Sequence, residues 1–275
     1  MYESHWKLTE KPFENWGDER YFYGSDVHQS ASLQLRYAID NRRAAVTLCG
    51  DSGMGKTLLL DTIIDTIDDS KTVVARIVFP HLSGEQLLGY IADELTGVSG
   101  EPDEPARVTL RRLSTFLLQN IEANKHAVIV VDEAQVLTSN DQLETLRLLL
   151  NLQQNRKHAE SAMTLVLAGH TTLLSQIERY RALDDRISAK CILTRFTVDQ
   201  TIGYLEHRIR VSGGDAGKIF TPQAMEILHL RSAGIPRRIN RLADLALMVA
   251  YAEDLSQIDV LHIENVHQEL VANAA

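Results

Sequence analysis

Cysteine is scarce in this sequence, with Cys49 and Cys191 the two examples among 275 residues. Two cysteines exclude a disulfide framework and a cysteine-rich zinc site. Histidine is more frequent, with 10 residues, yet none shows the H-E-x-x-H spacing or a comparable metal-binding pattern. The sequence therefore predicts a protein of a reducing compartment.

Long apolar runs are absent as well. A membrane-spanning helix needs about 20 consecutive apolar residues, whereas the block "LALMVAYA" is short and has Arg241, Asp244 and Glu253 around it. The opening "MYESHWKLTEKPFE" has no apolar core behind a basic flank, so we expect no secretory signal. These absences predict a soluble chain with no transmembrane segment.

An excess of basic residues is also lacking, since the formal net charge is −9. Proteins that coat nucleic acid rely on surplus Lys and Arg, so this balance argues against such a role. Basic groups do occur locally, at 107–112, 155–158 and 236–241. Such groups are more often solvated helix faces than binding patches.

The remaining pattern alternates strands with helices. Helical spacing fits 107–124, and Ser83 with Gln86 and Ser139 with Gln142 have the spacing of capping boxes that begin helices. Alternation of this kind predicts a parallel sheet covered on both faces. Strand-like runs occur at 45–49, 72–79, 127–131, 164–168 and 191–193.

The character of the sequence changes near residue 196, after which four helical stretches follow without a convincing strand: 199–211, 222–232, 236–253 and 260–272. We therefore expect two domains. The first, residues 1–195, is an αβα sandwich with a parallel five-stranded sheet and includes an N-terminal segment, 1–43. The second, residues 196–275, is a small all-α domain.

The stretch "GDSGMGKT" carries the clearest chemistry. It meets the pattern G-x-x-x-x-G-K-T between a predicted strand and a predicted helix, where glycines let backbone N–H groups surround phosphate oxygens. The positive end of the helix favours the same anion. We expect Lys56 to reach the β- and γ-phosphates of ATP, and Thr57 to bind Mg²⁺. The predicted nucleotide contacts are Gly50, Asp51, Ser52, Gly53, Met54, Gly55, Lys56, Thr57 and Leu58.

A second motif, "HAVIVVDEAQ", ends a predicted buried strand with Asp132 and Glu133. Ligands of open parallel sheets bind at the carboxyl ends of the strands. Asp132 suits coordination of Mg²⁺, and Glu133 is placed to activate an attacking water as general base.

These residues resemble those of an AAA+ ATPase, and more narrowly the GspA/ExeA (general secretion pathway protein A-like) family. The phosphate loop and acidic strand end indicate a P-loop NTPase, and "KPF", "LRLLLNLQ", "LVLAGH" and "GIPRRINRLADLAL" narrow the family. The resemblance covers residues 1 to about 270. It implies an AAA+ architecture with a helical lid, ATP and Mg²⁺ as cofactors, and a homo-oligomer with shared active sites. It also implies a cytoplasmic protein or one peripheral to the inner membrane.

The resemblance implies further site residues. His170 stands where the family has a polar residue that orients water near the γ-phosphate, although Asn or Gln is usual there. Arg237 in "GIPRR" resembles the lid arginine that contacts the nucleotide. Arg186 resembles the arginine finger that enters a neighbouring subunit's site, with Arg179 and Arg181 as rivals. Each also has a simpler interpretation: a plain strand-end histidine, a surface cation, or a local ion pair with Asp184 and Asp185.

Three functions remain open. The first is an ATP-driven assembly or remodelling factor for a secretion or pilus system of the cell envelope, with an envelope protein as partner. The second is a DNA-associated AAA+ regulator of the TnsC/TniB or origin-recognition kind, in which groups near Arg111, Arg156 and Arg238 line an oligomer. The third is a nucleotide-dependent switch with little turnover.

Overall fold

The computed structural model describes residues 1–15, 17–78, 82–101, 104–152 and 161–272. The chain forms two compact units that are both discontinuous in sequence. The sheet unit consists of Val27–Ser52 and Leu59–Leu193, and the helical unit of Met1–Asp26, Gly53–Leu58 and Thr194–Ala275.

The described residues of the sheet unit form one five-stranded sheet in the order β2-β3-β4-β1-β5, and every strand pair is parallel. This confirms the predicted fold class. The strands are β1 (Ala45–Cys49), β2 (Thr72–Ile77), β3 (His126–Val131), β4 (Met163–Gly169) and β5 (Ile187–Ile192).

The helices that connect and flank these strands are α1 (Asp26–Asp40), α2 (Lys56–Ile64), α3 (Gly84–Thr96), α4 (Ala106–Glu122), α5 (Asn140–Asn151), α6 (Thr172–Arg179) and α7 (Arg181–Asp184). The predicted capping boxes are both present. Ser83 accepts from the Gln86 N–H at the start of α3, and Ser139 accepts from the Gln142 N–H at the start of α5. Local sequence therefore fixes where these two helices begin.

The sheet core forms because the inner strands have no face exposed to solvent. Every residue of β1, β3 and β4 is buried, as expected for strands covered on both sides. By contrast, β5 alternates half-buried and exposed positions through Ser188 and Lys190. This edge strand begins four residues before the predicted 191–193 run, since its polar alternation hides it from a search for apolar residues. Phe79, the last residue of the predicted run 72–79, lies outside the described residues.

The helical unit contains α8 (Val198–Val211), α9 (Ala216–Ile219), α10 (Pro222–Ser232), α11 (Pro236–Ala252) and α12 (Val260–Ala272). Four of these match the predicted helical stretches, and α9 is an additional single turn. Pro222 and Pro236 each stand in the first turn of a helix, where proline needs no N–H partner. The core of this unit includes the large buried side chains Phe196, Phe220, Leu228 and Leu247.

The N-terminal segment belongs to this helical core. Trp6 and Phe13 are buried within it, and the Trp6 indole donates to the Leu247 carbonyl at 3.1 Å. The buried Arg208 of α8 donates to the carbonyls of Pro12 and Glu14. The sequence prediction instead grouped residues 1–43 with the sheet, and the proposed boundary at 195/196 stays a prediction.

One aromatic pair fixes the orientation of that buried arginine. Its guanidinium lies 4.6 Å from the centre of the Tyr21 ring and donates to the Tyr204 hydroxyl at 2.9 Å. A planar guanidinium can stack and donate in several directions at once, which a lysine ammonium cannot do. Arg208 therefore holds Pro12, Glu14 and Tyr21 against α8.

Candidate nucleotide-binding site

The glycine-rich loop begins at the carboxyl end of β1. Within the sheet unit, Cys49 is level with Gly169 at the end of β4, and the Gly50 N–H donates to the Gly169 carbonyl at 3.1 Å. Gly53 and Gly55 then adopt φ values of 82° and 86°, a left-handed conformation that glycine reaches at little cost. The helix α2 begins at Lys56, directly after the second of these glycines.

Residues Gly53–Leu58 pack within the helical unit. The Gly53 carbonyl accepts from the backbone N–H of Arg237 at 3.2 Å. A Cβ added at Gly53 would stand 2.7 Å from the Arg237 Cβ, so a larger residue does not fit without movement. Within the helical unit, Gly53 thus lies against the first turn of α11, with the Arg237 side chain exposed.

The remaining loop residues differ in exposure. Met54 is fully buried and Lys56 is 8% exposed, whereas Ser52 and Thr57 are exposed, and Asp51 and Leu58 are half-buried. Buried lysine is uncommon unless it meets an anion or another partner. The phosphate contacts predicted for these residues stay predictions.

The acidic pair follows β3. Asp132 is 3% exposed, and its N–H donates to the Ile77 carbonyl at the end of β2, at 2.9 Å. Glu133 is exposed and left-handed, with φ 51° and ψ 34°, and its N–H donates to the Asp132 carboxylate at 2.9 Å. A non-glycine residue in this conformation is uncommon and turns the chain sharply at the sheet edge. The turn separates a buried carboxylate from an exposed one.

His170 stands one residue beyond β4. Its Nε2 lies 3.6 Å from the Asp51 carboxylate at the start of the phosphate loop. Its backbone N–H donates to the Gln135 side chain at 2.9 Å, and that side chain also donates to Glu133 at 2.5 Å. Four polar residues at the carboxyl ends of β1, β3 and β4 are thereby linked. Sequence reasoning missed Gln135, although it is the last residue of the motif "HAVIVVDEAQ".

The predicted arginine finger lies elsewhere in the sheet unit. Arg186 is half-buried and donates to the Asn151 side-chain oxygen at 2.6 Å. Asp184 instead pairs with Lys190 at 2.7 Å, and none of the described ion pairs joins Arg186 to Asp184 or Asp185. Arg179 and Arg181 are exposed.

Other predicted features are scattered. Arg111 is exposed on α4 and Arg238 on α11, while Arg156 and the group 155–158 lie outside the described residues.

No described helix combines the length and apolar character needed to cross a bilayer. Within the same residues, no group of three or more His, Cys, Asp or Glu side chains could hold a metal ion. The predicted Mg²⁺ coordination by Asp132 stays a prediction, and such an ion would also take oxygen ligands from phosphates and water.

The parallel sheet and its glycine-rich loop define a class of nucleotide-binding proteins. Residues 39–177, about half of the chain, match the AAA domain family, and the chain belongs to that family. A more particular relative is general secretion pathway protein A of Aeromonas hydrophila, with 33% identity over 260 residues. The match covers 94% of this chain and 46% of the relative, so the chain spans about half the relative's length. The resemblance noted in the sequence is confirmed.

Solved structures share the fold at low identity. They include the Aeropyrum pernix ORC2 protein in ADPNP–ADP complexes (TM-score 0.69, 17% identity, 94% of this chain and 71% of that chain). The A. pernix ORC1 protein in complex with DNA has a TM-score of 0.66 and 15% identity, and the match covers 94% of this chain and 68% of that chain. The Thermotoga maritima RuvB Holliday junction branch migration motor has a TM-score of 0.56 and 19% identity, and the match covers 89% of this chain and 69% of that chain. These likenesses show the fold alone.

Proposed function

We propose that this chain binds ATP with Mg²⁺ and hydrolyses it to ADP and phosphate. The observation that carries the proposal is the loop between β1 and α2, with left-handed Gly53 and Gly55 immediately before the helix that begins at Lys56. Such a loop turns N–H groups towards an anion and ends at the positive end of a helix. Membership of the AAA domain family supports the same activity.

The proposed roles follow residue chemistry. Lys56 binds the β- and γ-phosphates, and Thr57 and Asp132 hold Mg²⁺. One buried carboxylate fits this ion, because Mg²⁺ usually takes one or two carboxylates and completes its shell with phosphates and water. When bound, Mg²⁺ neutralises phosphate charge during transfer. Glu133 accepts a proton from water as the water oxygen bonds to the γ-phosphorus and the bond to ADP breaks.

Three further roles are part of the proposal. Arg237 contacts the bound nucleotide, His170 orients the attacking water, and Arg186 acts on the site of a neighbouring subunit. The hydrogen bond from Arg186 to Asn151 holds the guanidinium, and none of the described ion pairs joins it to Asp184 or Asp185. The functional state is then a ring or helical homo-oligomer in which residues 196–275 act as a lid.

The cellular role we propose is assembly or remodelling of a secretion- or pilus-type system of the cell envelope. Its support is the similarity to general secretion pathway protein A, matched along 94% of this chain. ATP use further favours a cytoplasmic location, or one peripheral to the inner membrane. The partner is an envelope or secretion-system protein.

Isothermal titration calorimetry with MgATP, followed by phosphate release, tests the activity. We expect Lys56→Ala to weaken binding on the order of 100-fold or more, because charged hydrogen bonds are lost. Glu133→Gln should retain ATP, trap the oligomer and lose about 10²- to 10⁴-fold in turnover. Lys71→Ala, an exposed lysine paired with Asp68, is the matched control. No binding heat in the wild type would refute the proposal.

Mixing variants tests the shared site. Lys56→Ala and Arg186→Ala subunits are each expected to be inactive alone, while a mixture regains turnover at interfaces that combine an intact Lys56 with an intact Arg186. Mixtures as inactive as either variant would contradict action in trans. Parallel mixtures with Arg179→Ala or Arg181→Ala identify the arginine involved.

Retention on DNA distinguishes the regulatory alternative. A secretion-type factor is expected to pass through a DNA column at low salt with MgATP present. Salt-dependent retention under those conditions would favour the second function, a DNA-associated AAA+ regulator. ATP hydrolysis no faster than background in an oligomerised sample would favour the third function, a nucleotide-dependent switch with little turnover.

A further inference from the structure

Gln135 bridges the ends of two strands. It occupies the short 3₁₀ turn Ala134–Val136 that follows β3. Its side-chain N–H donates to Glu133 Oε2 at 2.5 Å, and its Oε1 accepts from the backbone N–H of His170 at 2.9 Å. One amide therefore joins the proposed general base to the end of β4.

The two partners determine which way the amide faces. A backbone N–H can only donate, so the oxygen of Gln135 must face His170. The NH₂ group is then directed at Glu133, whose ionised carboxylate can only accept. A side chain that lacks either the donor or the acceptor cannot replace both contacts.

The surroundings of Gln135 leave little alternative. A Cβ added at Gly169 would stand 2.5 Å from Gln135 Oε1 and 3.1 Å from its backbone nitrogen, so the glycine makes room for the bridge. The backbone carbonyl of Gln135 accepts from the Gln176 side chain of α6 at 3.0 Å. Backbone and side chain of Gln135 are thus both held, while Glu133 itself is exposed.

We propose that Gln135 is a positioning residue that fixes the Glu133 carboxylate for proton transfer. The hydrogen bond from Gln135 occupies Oε2 of Glu133. The other carboxylate oxygen of Glu133, Oε1, is then left to accept the proton of the attacking water. The inference rests on the proposed function, since it assigns a role only if Glu133 acts as general base. Gln135 acts through Glu133 and not by binding nucleotide. Misplacement of a catalytic group by about 1 Å can cost on the order of 10²-fold in rate.

Two substitutions separate the halves of the bridge. Gln135→Met retains the length of the side chain without either hydrogen bond, and Gln135→Glu retains an acceptor for His170 but loses the donor to Glu133. We expect both to lower kcat about 10- to 100-fold, with the MgATP Kd within about threefold of wild type. Hydrogen exchange at the His170 amide should become faster in Gln135→Met and stay close to wild type in Gln135→Glu.

A double-mutant cycle supplies the decisive comparison. In the Glu133→Gln background, Gln135→Met should cause little further loss, because residues that act as one unit are not additive. The matched control is Gln176→Met, which loses a contact to the turn but not the amide bridge and should retain turnover within about threefold.

Several results would overturn the inference. Wild-type kcat in Gln135→Glu would show that only bracing of β4 matters, and an equal loss in Gln176→Met would assign the effect to the turn. Additive losses in the double variant would show that Gln135 acts independently of Glu133. If wild-type protein hydrolyses no ATP, or Glu133→Gln turns over normally, the proposed function fails first and the inference with it.

Discussion

The buried imidazole of His126 should make the sheet unit sensitive to acid. His126 opens β3 and is 4% exposed, and its Nε2 lies 2.8 Å from Thr164 Oγ1. The Thr164 hydroxyl donates its proton to the Arg43 carbonyl, so it accepts from His126 and the imidazole proton lies on Nε2. His126 Nδ1 is buried without a hydrogen-bond partner among the described residues.

Protonation of Nδ1 would therefore bury a charged N–H without an acceptor. Burial, with a smaller contribution from the charge of Arg42, lowers the pKa of His126 from 6.5 to about 4. The unfolded chain takes up the proton near pH 6.5, whereas the folded chain resists it until about pH 4. Stability from this group is thus complete above pH 6.5 and falls as pH decreases between the two values. The full loss is about 3 kcal/mol.

Urea unfolding between pH 7.5 and 4, followed by hydrogen exchange at the β3 amides, measures this loss. We expect His126→Gln, which retains a donor towards Thr164, to be less stable at pH 7.5 but to lose about 3 kcal/mol less than wild type on acidification. His267→Gln, on α12, is the control that removes an imidazole elsewhere. An imidazole of His126 that titrates near 6.5 by NMR, or identical pH dependence in wild type and His126→Gln, would refute the reasoning.

Two further predictions concern backbone and cation packing. Gly53→Ala should weaken MgATP binding at least tenfold, because φ is 82° and the new Cβ meets α11, while Gly97→Ala, with a positive φ but open space around it, should retain binding. Wild-type affinity in Gly53→Ala would contradict this. Arg208→Lys should cost the helical unit about 2 to 4 kcal/mol by leaving buried carbonyls unpaired. Trp6 fluorescence in a Trp16→Phe background reports that unfolding, and an unchanged urea midpoint would argue against this role of Arg208.

Much of the sheet could be predicted because neighbouring residues in the sequence are enough to indicate its inner strands and helix starts. The short runs at β1 and β3 are rich in apolar and β-branched residues, too apolar for a surface and too short for a long helix. Capping boxes mark helix starts within a few residues. Edge strand β5 could not be predicted in full. Ser188 and Lys190 are polar, and their place in a strand depends on pairing with the neighbouring strand. Its extent is a property of the sheet and not of the segment.

The same distinction applies to the site. Spacing alone predicts the role of Lys56, because a phosphate loop requires adjacent residues, and the end of an apolar run predicts that of Asp132; both roles stay predictions. Gln135 could not be singled out, since its amide joins Glu133 to a backbone N–H 35 residues later in the chain. Likewise, the packing of the first 26 residues with the C-terminal helices leaves no periodic signal, because each partner is remote in sequence.

That remote packing has a consequence for biosynthesis. The segment that contains Trp6 and Phe13 is translated before the sheet, whereas most of its packing partners are translated after it. Apolar side chains of this early segment remain without their native partners until the last helices leave the ribosome, and such exposure favours aggregation or chaperone capture. A ribosome-stalled chain that ends near residue 195 should therefore display its N-terminus to proteases and chaperones, whatever the state of the sheet.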